Sequence, residues 1–262
     1  VVAHIEGGEV SGTIDELIRH AVSKMSHIHL VANEKAKTRL IQLGELPSSI
    51  FILGSPDLDL MNPKKLPKLS DVKKYYNIEF DNFAIAMFHP VTTEFKSIQK
   101  DAKEFVNSLI DSDENYIVIY PNNDLGSHEI LNEYKRLEGN RNIRLFPSLR
   151  FEYFLVFLKN SNYIVGNSSA GIREASYYGT PTVDIGSRQN NRSQGVSIFH
   201  ANNESNSILR GINLAKNFKK NITNKDSNFG HGNSDQIFLK LLDGDKIWSL
   251  DCQKQFQDLE FE

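Results

Sequence analysis

Short apolar segments alternate with segments of helical periodicity along most of the chain. Helical periodicity is clearest in the first helix, which is predicted to begin at Thr13 and to carry an apolar stripe that includes Leu17, Ile18 and Met25. Strands that are separated by helices pair in parallel, with the helices covering the sheet. The pattern therefore predicts an α/β protein with strands at 1–5, 28–32, 50–54, 83–88, 116–120, 142–146, 162–165 and 181–185.

The alternation is interrupted between residues 57 and 80. This interval contains Pro63 and Pro67 and follows a Gly-Ser-Pro sequence, which indicates a break in regular structure. We interpret it as a linker between two doubly wound, Rossmann-like domains. Residues 1–56 are then the C-terminal part of an incomplete first domain, 81–245 the second domain, with predicted helices at 205–218 and 234–242, and 246–262 a polar tail.

Charge and composition exclude several classes of protein. The formal net charge of −3 argues against a nucleic-acid partner, because such proteins carry a strong basic patch. No apolar run reaches the length of a membrane span, so we expect no membrane partner. The single cysteine, Cys252, excludes an internal disulfide and favours a cytoplasmic protein.

A turn of small residues joins the strand ending near Val165 to the next helix. Its sequence, Gly-Asn-Ser-Ser-Ala-Gly, places Ser168 and Ser169 at the predicted N-terminus of that helix. Unpaired N–H groups there suit a diphosphate, and Glu174, about one turn further on, suits ribose hydroxyls. The alternative is a capped helix whose glycine relieves packing, since such a turn is a weak signal by itself.

His89 follows another predicted strand and precedes Pro90, which holds it in an extended conformation. An imidazole at this position suits hydrogen bonding to a phosphate or acid–base chemistry. The alternative, which the sequence supports equally well, is a histidine that is simply hydrogen-bonded at the end of a strand.

Acidic residues flank the loop after the first strand. Glu6 ends that strand just before two glycines, and Asp15 and Arg19 share one face of the following helix. Carboxylates that converge with a histidine supply what acid–base chemistry requires. Asp15 and Arg19 alternatively form a surface ion pair, with the carboxylate favoured by the helix dipole.

Two further polar turns follow strands. One contains Asn122, and the other contains Arg188, whose guanidinium suits an oxyanion. The histidines show neither the spacing nor the carboxylate cluster of a dedicated metal site, so we predict no metal and no cofactor.

Taken in order, four motifs resemble the hydrolysing UDP-N-acetylglucosamine 2-epimerases of sialic acid biosynthesis. They are residues 4–16, with Glu-Gly-Gly-Glu-Val-Ser-Gly at their centre, then 89–93, 166–169 and 186–189. The first motif is specific to the hydrolysing branch, and the resemblance extends from residue 1 to about 245. It implies a GT-B-like fold, UDP bound to the second domain, and a homo-oligomer.

The resemblance also implies a reaction and residue roles. UDP-N-acetylglucosamine and water give N-acetylmannosamine and UDP, through elimination of UDP and hydration of a glycal. Glu6, Asp15 and His89 are the implied catalytic residues, with the choice of base left open. The implied substrate-binding residues are Arg19, Asn122, Ser168, Ser169, Glu174 and Arg188.

Members of the family are longer at the N-terminus, where they supply further strands and site residues. We therefore expect this chain to be a fragment with an incomplete site. Two alternatives to the main function remain: the same chemistry on UDP-N,N′-diacetylbacillosamine, and a module that binds a UDP-sugar without turnover. A GT-B glycosyltransferase is disfavoured, because the first motif has no evident role there.

Overall fold

Three parallel strands form the sheet of the first unit of the chain. The computed structural model describes residues 1–10, 15–189, 195–218 and 229–258, so the predicted helix start at Thr13 lies outside the described residues. β2 (Ile28–Val31) lies between β1 (Ala3–Ile5) and β3 (Ile50–Ile52). α1 (Asp15–Met25) connects β1 to β2, and α2 (Glu34–Gln42) connects β2 to β3. Because the strands are parallel, the loops after β1 and β3 emerge at the same edge of the sheet.

The predicted linker, residues 57–80, contains two helices instead. α3 (Asp57–Leu60) belongs to the first unit, which extends to Lys65, and α4 (Leu69–Tyr75) belongs to the second. Leu58 in α3 and Val72 in α4 are buried. Both helices are therefore held by packing. The prolines lie between the two helices, and the short stretch that contains them lacks helical structure.

Six parallel strands form the sheet of the second unit, in the order β6-β5-β4-β7-β8-β9. The strands are β4 (Ala84–Met87), β5 (Tyr116–Ile119), β6 (Ile143–Phe146), β7 (Ile164–Gly166), β8 (Thr182–Ile185) and β9 (Ile198–Ala201). The connecting helices are α5 (Ile98–Asp111), α6 (Ser127–Tyr134), α7 (Phe151–Asn160), α8 (Glu174–Tyr178) and α9 (Ser205–Asn217). The chain moves outward from β4 to β6 and then returns to place β7 on the other side of β4, which is the doubly wound order of a Rossmann-like sheet.

The core of the second unit explains why its strands are almost continuously apolar. Every residue of β5 is buried, as expected for a parallel strand covered on both faces. On one face Phe105 of α5 packs in a cluster with Val118 of β5 and Val183 of β8. The α/β class with parallel sheets is thus confirmed.

The C-terminal segment packs on the first unit, which corrects the predicted boundaries at 245 and 246. α10 (Ser234–Leu242) places Phe238 against a cluster that contains Leu30 of β2 and Leu53. Ile247, predicted to belong to a polar tail, is buried in the same cluster. The second unit therefore begins at Leu66 and includes the described residues up to 218, whereas residues 229–258 complete the first unit.

The apolar stripe of α1 is largely exposed. Leu17 retains 72% and Met25 67% of their accessible surface. The residue of α1 that is buried is Ser23, so the apolar periodicity did not identify the face that packs within the described part of the chain. None of the helices in the described ranges has the length and apolar character that crossing a bilayer requires.

Candidate functional site

The second sheet changes winding direction between β4 and β7, and ligands of such folds bind in the crevice that forms there. His89 follows β4, and Asn167 follows β7. Gly166 ends β7 with a φ of 140°, and a Cβ at this position would lie only 1.8 Å from the Met87 carbonyl oxygen. Glycine is required because the two strand ends approach so closely.

Asn167 fastens the two strand ends together. Its side-chain Oδ1 accepts a hydrogen bond from the His89 backbone N–H at 2.7 Å, and its Nδ2 donates to the His89 carbonyl at 2.9 Å. Asn167 is 1% exposed, so both bonds are shielded from water. This residue lies within a recognised motif, but no local pattern indicated its role, since the pairing spans 78 positions.

The His89 ring is held in one tautomer. Its Nδ1 accepts a hydrogen bond from the Asn122 backbone N–H at 3.1 Å, so the neutral ring carries its proton on Nε2. Burial, reinforced by the positive charge of Arg188, lowers the pKa of His89 to about 4 against an opposing effect of Asp124. At neutral pH His89 is therefore an uncharged N–H donor.

Asn122 contributes to this site through its backbone. Its side-chain Nδ2 donates to Asp124 at 2.5 Å, which closes the turn after β5. The predicted nucleotide-site asparagine is thus close to His89, but its amide side chain is engaged within its own turn.

The loop after β8 reaches the same strand ends. Arg188 Nη1 and Gln189 Nε2 donate to the Asn167 carbonyl at 3.2 and 2.8 Å. Ser187 Oγ donates to Glu94 at 2.5 Å, which ties this loop to the segment after β4. The guanidinium of Arg188 is therefore fixed beside His89. Arg192, further along this loop, lies outside the described residues.

Ser168 and Ser169 begin a short 3-10 turn where the sequence predicted a continuous helix. Ser168 Oγ accepts from the Ala170 N–H at 3.3 Å, and the turn covers Ser169–Gly171. Thr182 Oγ1 donates to the Gly171 carbonyl at 2.6 Å and so occupies an acceptor of the α-helical ladder. Glu174 is consequently the first residue of α8, not one turn inside it, and it is buried.

The remaining three predicted residues lie in the first unit. Glu6 follows β1 with a φ of 62°, and its carboxylate accepts a hydrogen bond from Ser55 Oγ at 2.5 Å. Asp15 opens α1 with an exposed side chain. Arg19 Nη1 donates to the Glu9 carbonyl at 3.2 Å and thereby supports the loop after β1.

No group of three or more histidine, cysteine and carboxylate side chains suited to a metal ion occurs within residues 1–10, 15–189, 195–218 and 229–258. The polar groups around His89 include hydrogen-bond donors of the backbone, amide and guanidinium types, and the nearby Asp124 carboxylate accepts from the Asn122 side chain. This donor set is chemically suited to an anion.

Comparison with known proteins identifies the family. The family model described as UDP-N-acetylglucosamine 2-epimerase matches residues 1–243. A UDP-N-acetylglucosamine 2-epimerase of Neisseria meningitidis is 48% identical over 99% of this chain and 69% of its own length. A UDP-N,N′-diacetylbacillosamine 2-epimerase (hydrolyzing) of Legionella pneumophila is 34% identical over 92% of this chain and 64% of its own length.

Solved structures agree on the fold. The Methanocaldococcus jannaschii UDP-GlcNAc 2-epimerase in complex with UDP-GlcNAc and UDP matches with a TM-score of 0.76 and 20% identity, over 92% of this chain and 68% of that one. A Neisseria meningitidis UDP-GlcNAc 2-epimerase bound to UDP-GlcNAc matches with a TM-score of 0.73 and 16% identity, over 92% and 69%. This chain thus spans roughly two thirds of the length of the proteins it matches, and it belongs to the UDP-N-acetylglucosamine 2-epimerase family.

Proposed function

We propose that the protein is a hydrolysing UDP-N-acetylglucosamine 2-epimerase, which converts UDP-N-acetylglucosamine and water to N-acetylmannosamine and UDP. The observation that carries this proposal is the arrangement of His89, Asn167 and Arg188 at the β4/β7 switch point. An uncharged N–H donor and a cation held by the backbone carbonyl of buried Asn167 suit a diphosphate leaving group.

The second unit has the task of stabilising UDP as it departs. His89 Nε2–H and the Arg188 guanidinium donate to diphosphate oxygens, together with the backbone and hydroxyl groups of Ser168 and Ser169. Fixed donors need little reorganisation when negative charge develops on the leaving oxygen, which is why they lower the barrier. Glu174 accepts hydrogen bonds from the ribose hydroxyls.

The chemical step is an elimination followed by a hydration. The C1–O bond breaks and its electron pair leaves with UDP, while a carboxylate removes the proton from C2 and a C1=C2 double bond forms. Water then adds its oxygen to C1, and a proton is delivered to C2 on the opposite face from the one that was lost. We assign these proton transfers to Glu6 and Asp15, because paired carboxylates serve as both acid and base. Arg19 supports the loop that follows Glu6.

Product analysis distinguishes this function from that of a non-hydrolysing epimerase and from that of a binding module. When the full-length protein is incubated with UDP-N-acetylglucosamine, proton NMR is expected to show UDP and free N-acetylmannosamine in a one-to-one ratio. Accumulation of UDP-N-acetylmannosamine would show a non-hydrolysing epimerase instead. UDP binding by calorimetry without any product over hours would show a binding module.

A second sugar is a specific alternative, because hydrolysing relatives of Legionella pneumophila and Campylobacter jejuni named for N,N′-diacetylbacillosamine are 34% and 32% identical to this chain. The 48% identity of the Neisseria meningitidis relative favours N-acetylglucosamine. Measuring kcat/KM for both UDP-sugars decides between them, and the larger value identifies the substrate.

A further inference from the structure

The backbone of Glu6 adopts a conformation that its side chain disfavours. Its φ is 62°, in the left-handed region where residues other than glycine are uncommon. The Glu6 N–H still donates to the Leu30 carbonyl at 2.8 Å, so the residue is tied to the end of β2 while its chain turns sharply. Such a backbone persists only where surrounding contacts hold it, and it is characteristic of functional sites.

Ser55 provides one of those contacts. Its hydroxyl donates to Glu6 Oε1 at 2.5 Å, and the residue is 1% exposed. The two residues follow the outer strands of the three-stranded sheet, Glu6 after β1 and Ser55 shortly after β3. The hydrogen bond thus spans 49 positions of sequence and links the two loops at the carboxyl edge of the sheet.

The C-terminal segment of the first unit fixes Ser55 in turn. The Ser55 N–H donates to the Phe229 carbonyl at 2.7 Å. Gly54 has a φ of 87°, and a Cβ added at Gly230 would lie 2.8 Å from the Gly54 Cα, so the two backbones are in direct contact. A side chain at Gly230 would push the segments apart, and a side chain at Gly54 is disfavoured by its positive φ.

A helix cap holds this returning segment in place. The Asp59 carboxylate accepts hydrogen bonds from the Ser234 N–H at 3.0 Å, from Ser234 Oγ at 2.7 Å and from the Asp235 N–H at 2.9 Å. These bonds satisfy the first donors of α10 and favour a negative charge at its N-terminus. The loop after β3 and the start of α10 are therefore one rigid support.

We propose that Ser55 is a positioning residue for the Glu6 carboxylate, an inference that rests on the proposed epimerase reaction. A hydroxyl that holds one carboxylate oxygen fixes the rotation of the whole group, so that the carboxylate meets the substrate in one orientation. Proton abstraction from C2 depends steeply on this orientation, whereas binding of the UDP part does not. Ser55 acts on turnover through Glu6 and takes no part in holding the nucleotide.

Kinetics of Ser55→Ala, Ser55→Thr and Glu6→Gln test this role in the full-length protein. Ser55→Ala is expected to lower kcat by about 10- to 100-fold, since small displacements of a reacting group cost about this much. The KM for UDP-N-acetylglucosamine and the dissociation constant of UDP stay within about twofold of wild type, because uniform binding is untouched. Ser55→Thr keeps the hydroxyl and recovers at least part of the lost kcat.

Ser49→Ala is the matched control. Ser49 is also buried in the first unit, and its hydroxyl donates to the Leu46 carbonyl at 2.8 Å, at the opposite end of β3. Its removal is expected to leave kcat within about twofold of wild type. An equal loss of kcat in Ser49→Ala and Ser55→Ala would overturn the proposal, since it would reflect general destabilisation.

A double-mutant cycle gives the sharpest result. If Ser55 acts through Glu6, the Ser55→Ala/Glu6→Gln variant has the same kcat as Glu6→Gln alone. Multiplication of the two separate losses would show that Ser55 acts independently and would contradict the proposal.

An NMR measurement tests the positioning role of Ser55 separately from the proposed epimerase reaction. The 13Cδ resonance of Glu6, identified by its absence in Glu6→Gln, is expected to shift in Ser55→Ala and not in Ser49→Ala. A wild-type protein without turnover would refute the proposed function, and this resonance would then still decide the positioning role. An unchanged resonance would refute that role whatever the activity.

Discussion

Two clusters of polar side chains, one in each unit, are built in opposite ways. In the first unit Glu45 is 2% exposed and is surrounded by His29, Lys24 and Lys254. In the second unit His89 is oriented by the backbone N–H of Asn122 and by the amide of Asn167. In the first cluster the donors converge on one buried carboxylate, although Lys24 and Lys254 also donate to backbone carbonyls. In the second cluster a backbone N–H fixes the histidine ring and a side-chain amide fixes the histidine backbone.

The Glu45 carboxylate is surrounded by three side-chain partners. Lys24 Nζ lies 2.8 Å from Oε1, His29 Nε2 lies 3.0 Å from Oε2, and Lys254 also bonds to Oε2. Burial opposes the charge on Glu45, but the hydrogen bonds from Lys24 and Lys254 overcome it and hold its pKa below the usual value. The C-terminal segment is fastened here, as the Gln257 N–H donates to the Gly44 carbonyl at 2.9 Å.

The His89 cluster keeps a donor available. Among the described residues, His89 has one ring hydrogen bond, at Nδ1, so the proton on Nε2 remains for a ligand. Arg188 is placed beside it by the Asn167 carbonyl. A buried carboxylate that is surrounded by its partners serves stability, and we expect a histidine with an oriented N–H donor to serve binding.

The largest expected effect concerns stability and the first cluster. Glu45→Ala leaves a buried histidine and two ammonium groups without their carboxylate, and it is expected to lower the free energy of unfolding by about 3 kcal/mol. Chemical denaturation followed by circular dichroism measures this loss. The exposed Glu34 is the control, and Glu34→Ala is expected to cost less than about 1 kcal/mol. Equal losses in the two variants would contradict the assigned role of Glu45.

The next effect concerns binding and the second cluster. His89→Ala removes the N–H donor that we propose for the diphosphate, so the dissociation constant of UDP is expected to rise roughly 10- to 100-fold. The free energy of unfolding should change less than in Glu45→Ala. His89→Gln keeps an N–H donor and should lose less affinity. Titration calorimetry measures all three proteins, and unchanged UDP affinity in His89→Ala would remove His89 from the site.

The smallest expected effect is an absence of pH dependence. Because the pKa of His89 is lowered to about 4, the ring stays neutral in the free protein from pH 8 down to pH 6. The affinity for UDP-N-acetylglucosamine, whose diphosphate diester does not titrate in this range, should therefore be constant. An affinity that rises steadily toward pH 6 would show that His89 binds as a cation.

The same low pKa has a consequence for folding. The unfolded state takes up a proton on this histidine near pH 6.5 and the folded state only near pH 4. The resulting contribution to stability is fully present above about pH 6.5 and is lost as the pH falls through this window. His89→Gln should weaken the pH dependence of the unfolding free energy between these values.

Sequence patterns predicted the elements better than their contacts. The β–α alternation placed eight of the strands and the helix at 234–242, because the periodicity of apolar residues is a local property. β9 was missed, since only its first and last residues are buried and it therefore lacks a continuous apolar run. The domain boundaries were wrong because α10 resembles any other amphipathic helix until its partner, the first sheet, is known.

In the candidate site, too, residues recognisable from local sequence were predicted, and residues that act through contacts distant in sequence were missed. His89 and Arg188 were identified by their chemistry and by their place after a strand, and the structure brings them together. Asn167 and Ser55 were not singled out, because each acts through a residue 78 or 49 positions away. The predicted helix after Ser169 became a 3-10 turn through a bond from Thr182, which no local pattern contains.

The most direct test of the proposed reaction follows the hydrogen at C2. UDP-N-acetylglucosamine is incubated with the full-length protein in heavy water, and the released sugar is examined by NMR and mass spectrometry. The proposed reaction yields N-acetylmannosamine carrying one deuterium at C2, since the original proton leaves in the elimination and a solvent deuteron enters in the hydration. Released sugar that retains protium at C2 would contradict it.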